Sequence, residues 1–235
     1  MKKILVCAVL AFVVSACSGG QVGNDFAFQP TSEKALIVMG LDVRGGYGKP
    51  SLLFRMYDPE TGQALKEQKF LSPSDRELSS GQILTSYFTG QSSRPRGKTY
   101  IVAELEPGNW FIGRINGNYS TGYISYKSVS ILSRGTVTFD AEPGHVIYLG
   151  EYRLGGALGS SFSLIKVNED FDAAEAELDK FTNISAKLER GEVVRRKFTC
   201  EHTEKLFGGE GDDCKRDKMV IDVESDTVTS EATSG

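Results

Sequence analysis

Leu105-Glu106-Pro107-Gly108-Asn109-Trp110-Phe111-Ile112-Gly113-Arg114-Ile115 and Ala141-Glu142-Pro143-Gly144-His145-Val146-Ile147-Tyr148-Leu149-Gly150-Glu151 decide the fold class. Each sets a Pro-Gly pair before an apolar run rich in branched and aromatic residues. Proline at the second position of a turn fixes φ, and glycine at the third accepts a positive φ, which is what a type II turn needs. Each copy therefore predicts a β-turn feeding a strand. The interval between the copies holds two further strand patterns, 122–132 and 135–140, joined by Ser133-Arg134-Gly135. The echo repeats a turn geometry inside one domain.

Outward from this pair the β signal continues. Lys34-Ala35-Leu36-Ile37-Val38-Met39-Gly40-Leu41-Asp42-Val43 has the apolar pattern of a strand covered on both faces, and Gly45-Gly46-Tyr47-Gly48-Lys49-Pro50 ends it. Leu52, Phe54 and Met56 alternate with Leu53, Arg55 and Tyr57. Asp58-Pro59-Glu60-Thr61-Gly62 is a turn, and residues 65–71 return as the partner strand. After a last strand at 161–167, Asn168 is placed to cap a helix. Glu169, Asp170 and Asp172 suit its positive end, and Phe171, Ala174, Leu178 and Phe181 share one face.

The expected fold over 34–167 is mainly β, followed by a C-terminal helix and a disulfide-closed loop. The helical, disulfide-bearing extension covers 168–222. A Thr/Ser/acid tail over 223–235 lacks apolar mass and is expected to be disordered.

The amino end reads differently. Lys2 and Lys3 precede an apolar stretch over 4–14, too short for a spanning helix, and Val14-Ser15-Ala16-Cys17 follows. This segment resembles the signal of bacterial lipoproteins, whose lipobox is a branched apolar residue, two small residues and a cysteine. The resemblance implies a signal peptide over 1–16, acylation of Cys17, and a flexible tether over 17–33. Ser18 in place of an aspartate implies the outer membrane. Each buried methylene of an acyl chain contributes about 0.8 kcal/mol, so several chains hold a soluble domain on a bilayer. An ordinary cleaved signal ending at Ala16 is the alternative.

Charge excludes one function class. The chain carries 27 Lys plus Arg against 31 Asp plus Glu, and removal of Lys2 and Lys3 makes the balance more acidic. A nucleic-acid partner calls for a basic face, and Arg195-Arg196-Lys197 is too short to supply one. It reads as a solvated element end. Of four cysteines, Cys7 is discarded with the signal and Cys17 is the lipid site. Cys200 and Cys214 remain, and in an exported chain they read as a disulfide closing a polar, Gly-rich loop. The alternative is a metal site using Cys200, His202, Asp213 and Cys214, although the spacing lacks the paired ligands of structural zinc.

Residues 72–98 break the strand rhythm, ending in Gln91-Ser92-Ser93-Arg94-Pro95-Arg96-Gly97-Lys98. A connection that long is either a partner contact or a mobile insertion. The stretches 100–110 and 137–150 are similar to Gram-negative lipoproteins with small antiparallel sandwiches related to carboxypeptidase-regulatory and prealbumin-like domains. That resemblance covers roughly 34–167 and implies an antiparallel β-sandwich of about seven to nine strands. It implies a fold and a compartment, with no catalytic residue and no cofactor.

Motif-based chemistry is sparse. His145 and His202 are the two histidines, and no Gly-x-Ser-x-Gly, His-Glu-x-x-His or phosphate-loop pattern occurs. A weak hydrolase reading would rest on Glu106 or His145. Trp110, Tyr119, Tyr123 and Tyr126 offer a stacking platform for a sugar or peptide, or else cover a sheet. Two functions follow: a non-catalytic, membrane-anchored envelope protein presenting its sandwich to protein or cell-wall material, or a small-ligand or carbohydrate-binding module. Mass spectrometry of the purified protein is expected to find an acylated Cys17, and Cys17→Ser to move the protein out of the envelope fraction; an unmodified terminus refutes the anchor.

Overall fold

The computed structural model describes Val22 and residues 25–43, 50–72, 97–120, 125–131, 135–155, 163–204 and 210–224. Its organising strand is β1 (Ala35–Val43), where Ile37, Met39 and Leu41 face one core while Leu36 and Val38 face another, all fully buried. Successive side chains of a strand point to opposite faces, so an unbroken apolar run needs cover on both. β1 lies inside a sheet with β4 (Gly97–Leu105) on one side and β8 (Val146–Gly155) on the other. β10 (Leu188–Arg190) and β9 (Ser163–Lys166) line the far edge of β8, one after the other.

The second sheet is centred on β5 (Gly108–Ser120). It runs β11 (Val193–Arg196), β7 (Thr136–Ala141), β5, β2 (Ser51–Tyr57), β3 (Ala64–Leu71), with β6 (Ser125–Ile131) also on β5. Between the sheets lies the main core, including Ile37, Met39, Phe54, Ile101, Trp110, Ile112 and Phe139. Phe54 of β2 and Phe139 of β7 meet edge-on over the intervening β5, 6.1 Å between ring centres.

Both outer faces are covered as well. Against the first sheet, helix α1 (Phe171–Leu178) and the buried Phe28 and Phe181 pack on Leu36, Val38, Val102 and Val146. Against the second, the hairpin β12 (Phe198–Glu204) and β13 (Glu210–Ile221) lays Met219 and Ile221 on Tyr57 and Phe111. The result is a mainly β sandwich, as its sequence predicts, flanked by a helix on one side and a hairpin on the other.

Several details differ from the sequence expectation. The first sheet is mixed: β1 and β10 both pair with β8 in parallel, because the chain crosses between sheets before returning to β8. The expected tether over 17–33 is ordered in its later half. Phe28 is 2% exposed and exchanges main-chain hydrogen bonds with Asn183 and Ser185, since two phenylalanines, Phe26 and Phe28, supply the apolar contact that a flexible linker lacks. The boundary at 167 also falls away: β10 and β11 come from the expected extension, yet they extend the two sheets of the sandwich. Arg195 and Arg196, expected at a solvated end, donate to the Leu164 and Val223 carbonyls.

Asp170 caps α1, not Asn168, accepting from the Ala173 N–H at 3.2 Å. The helix stops at Leu178, so Phe181 joins the stripe from the following turn. Of the two Pro-Gly copies, only 142–145 forms the expected turn, with His145 N–H bonded to the Glu142 carbonyl and Gly144 at φ 79°. At the other, Gly108 sits at φ 136° and the Trp110 indole donates to the Glu106 carbonyl at 2.8 Å, taking the acceptor that a turn would use. The signal, residues 73–96, Tyr123 and the tail from 225 lie outside the described residues.

Phe111 is fully buried between the second sheet and the hairpin, in ring contact with Tyr57 and Phe198. Phe111→Ala is expected to cost about 3–5 kcal/mol in denaturant unfolding. A loss below about 1 kcal/mol would mean that the hairpin does not pack there.

Candidate functional site

Glu151 is the buried carboxylate of the first sheet, 2% exposed on the face under α1. Its position comes from an irregularity in β8. Val38 pairs with Tyr148 but Gly40 pairs with Glu151, so β8 spends one residue more than β1 between these points. Gly150, at φ 94°, takes up the bulge. The extra residue turns Glu151 onto the same face as Tyr148, where regular alternation would separate them. Opposite it, Gly40 leaves the room: a Cβ there would stand 2.0 Å from Glu151 Oε2.

Three donors converge on Oε1. The Tyr148 hydroxyl donates at 2.8 Å and the Tyr100 hydroxyl at 2.9 Å, and Lys98 Nζ lies at 3.1 Å. Lys98 also donates to Asp170 Oδ2 at 2.8 Å, and the Asp170 main-chain N–H donates to the Tyr148 oxygen at 3.2 Å. The cluster therefore joins β4 and β8 to the capping residue of α1. Phe171 completes the junction, edge-on to Tyr148 at 5.6 Å, with the Arg190 guanidinium 4.7 Å over its ring.

The electrostatics follow from this geometry. Burial alone would lower the Lys98 pKa, but hydrogen bonds to Asp170, Tyr100 and Glu151 outweigh it and hold the ammonium well above the ordinary lysine value. Burial, reinforced by the adjacent Glu151, pushes both Tyr100 and Tyr148 up, so both remain neutral donors. Asp170 is held below the usual carboxylate range by hydrogen bonds from Lys98 and the Ala173 N–H. Neutral phenols donating to a carboxylate neither attack nor abstract a proton. The arrangement is a clasp that fixes α1 to the sheet, with three donors on one oxygen of the carboxylate.

The residues singled out in the sequence are scattered. Trp110, expected in a stacking platform, is 2% exposed inside the sandwich core and offers no face to a ligand. Nine residues of β5, about 30 Å, separate it from Tyr119. Tyr119 and Tyr126 stand directly opposite each other across β5 and β6. Glu106 is paired with Lys34 at 3.2 Å, and exposed His145 with Glu189 at 2.9 Å, which raises the imidazole pKa. Cys200 is half-buried on β12, and Cys214 is placed opposite His202. Among the described residues no group of three or more His, Cys, Asp or Glu is placed to hold a metal ion. Lys98, Tyr100, Tyr148, Glu151 and Asp170 went unremarked as a group in the sequence. Their signal was a glutamate following glycine in an apolar run and a second glycine inside the most apolar strand.

No family model and no curated protein matches the chain. A Bacteroides ovatus structure described as a "putative cell adhesion protein" is similar at 9% identity and a TM-score of 0.27, over 59% of this chain and 45% of its own. The chain thus spans less than half the length of that protein.

Gly40→Ala is expected to cost about 1–3 kcal/mol, by forcing the Glu151 carboxylate out of its seat. The loss should shrink when Glu151→Ala is added, as a double-mutant cycle in denaturant would read. The depressed Asp170 contributes stability above its ordinary value of 3.8, lost as pH falls through the folded pKa. Asp170→Asn should therefore flatten the acid limb of the stability curve; an unchanged limb refutes the cap assignment.

Proposed function

We propose that this chain is a non-catalytic, lipid-anchored protein of the outer membrane that presents its β-sandwich to an envelope protein or to cell-wall material. The observation that carries the proposal is the distance between Val14-Ser15-Ala16-Cys17 and the fold: only a short linker separates the acylation pattern from Val22, whose N–H is bonded to the Val102 carbonyl. An acyl anchor joined so closely to a β module suits display at a membrane. The donors on Glu151 Oε1, two hydroxyls and an ammonium, give that carboxylate a structural task in holding α1 to the sheet.

The Cys200–Cys214 crosslink belongs to the same reading. Its support is that the two cysteines lie on the paired strands of one hairpin, Cys214 opposite His202 and Cys200 two positions before it on β12. Peptide mapping without reductant is expected to recover the linked pair. A second reading has one observation in its favour: Tyr119 and Tyr126 are direct cross-strand partners on β5 and β6, a pairing that suits stacking on a sugar ring. Trp110 takes no part in it.

Crosslinking in intact cells followed by capture of the tagged protein tests the main proposal. A specific envelope protein or peptidoglycan fragment, lost with Cys17→Ser, is the expected result. Recovery of no specific partner overturns it, and calorimetric heat with envelope glycans, abolished by Tyr119→Ala, would transfer support to the carbohydrate reading.

A further inference from the structure

The amino-terminal segment enters the fold at one flank of the sandwich. Val22 donates its N–H to the Val102 carbonyl of β4 at 3.3 Å, and β4 has β1 on one side only among the described strands. The chain then runs over the outer face of the first sheet, where Phe26 stacks on Phe28 at 6.3 Å and Phe28 is buried. β3 ends the second sheet on the same flank, because Lys69 of β3 donates to the main-chain carbonyl of Glu104 on β4. β10 and β11 lie at the opposite ends of the strand orders. Four strand intervals of the second sheet put the two flanks about 19 Å apart.

Cys17 precedes Val22 by five residues. Even fully extended, such a linker reaches only about 18 Å. That is no more than the straight width just given, and a path round the sandwich is longer than its width, so an anchor at Cys17 does not reach the far flank. It holds the β3–β4 side nearest the lipid.

We infer that the flank formed by β3 and β4 stands against the bilayer surface while the β10–β11 flank faces away, an inference that rests on the acylation of Cys17 proposed above. The outer edge of β4, which among the described residues is met by Val22 at the Val102 carbonyl and by Lys69 at the Glu104 carbonyl, faces the membrane. The surface left for a partner is the far flank together with the hairpin.

The test uses the full acylated protein in phosphatidylcholine–phosphatidylglycerol vesicles carrying a nitroxide on the lipid headgroup. A fluorophore is placed through Glu67→Cys on β3 or Glu192→Cys between β10 and β11, both exposed positions, with the parent protein taken through the same labelling as the blank. Quenching is expected to be several-fold stronger at position 67. A Gly/Ser insert of about 15 residues between Gly19 and Gly20, adding about 50 Å of reach, should remove the difference. Equal quenching in the protein of natural length, or stronger quenching at position 192, overturns the inference while flotation with the vesicles upholds the anchor. Failure to float overturns the acylation itself, and this inference with it.

Discussion

The constraint on which the rest depends is the double burial of β1. Ile37, Met39 and Leu41 on one face, with Leu36 and Val38 on the other, leave no side of this strand able to meet water. Burying a side chain of that kind contributes about 1.5–3 kcal/mol, so leaving one face bare would forfeit several such terms together. A two-layer sandwich satisfies only the inner set. The outer set is satisfied by α1, Phe28 and Phe181, which explains why segments on either side of the sandwich sequence fold back onto the first sheet. The second sheet repeats the arrangement at lower scale, with Phe111 facing outward and the β12–β13 hairpin closing over it.

Glu151 interrupts this apolar outer layer at the point where α1 begins. A buried charge is seldom the most stable choice, since well-packed apolar groups of similar volume often do as well or better. What the cluster supplies is geometry. Leucine and alanine contacts tolerate sliding of a helix along a sheet, whereas Lys98 bonded to both Glu151 and Asp170 admits one position for the helix start. The bulge at Gly150 and the missing side chain at Gly40 have value only together, one aiming the carboxylate and the other making room for it.

Local patterns made the strands legible. The unbroken run at 34–43, the alternation at 52–57 and the acid-led helix after 168 correspond to β1, β2 and α1, because period and turn chemistry are properties of neighbouring residues. Parallel pairing of β1 with β8 was not legible, since it joins residues more than a hundred positions apart and no local pattern records a partner. The order of 25–33 was hidden for a related reason: Phe26 and Phe28 signal burial only once Ile184 and Val146 are known to lie beneath them. The clasp escaped because its members come from three places in the chain, β4, β8 and the cap of α1, each ordinary alone. Trp110 misled through its chemistry, since an indole suits a ligand platform and a sheet core equally well, and its N–H found a main-chain carbonyl inside the fold.

The parallel ladder has a consequence for biogenesis. A polypeptide delivered amino end first releases β1 early, but β8 emerges far later, and β10 and β11 later still. Until those last segments arrive, the edges of β7 and β8 that they cover are bare ladders on apolar strands, ready templates for a neighbouring copy. Closure of the sandwich in this topology therefore waits for β10 and β11, and the chain is most exposed to such pairing between the emergence of β8 and that of β11.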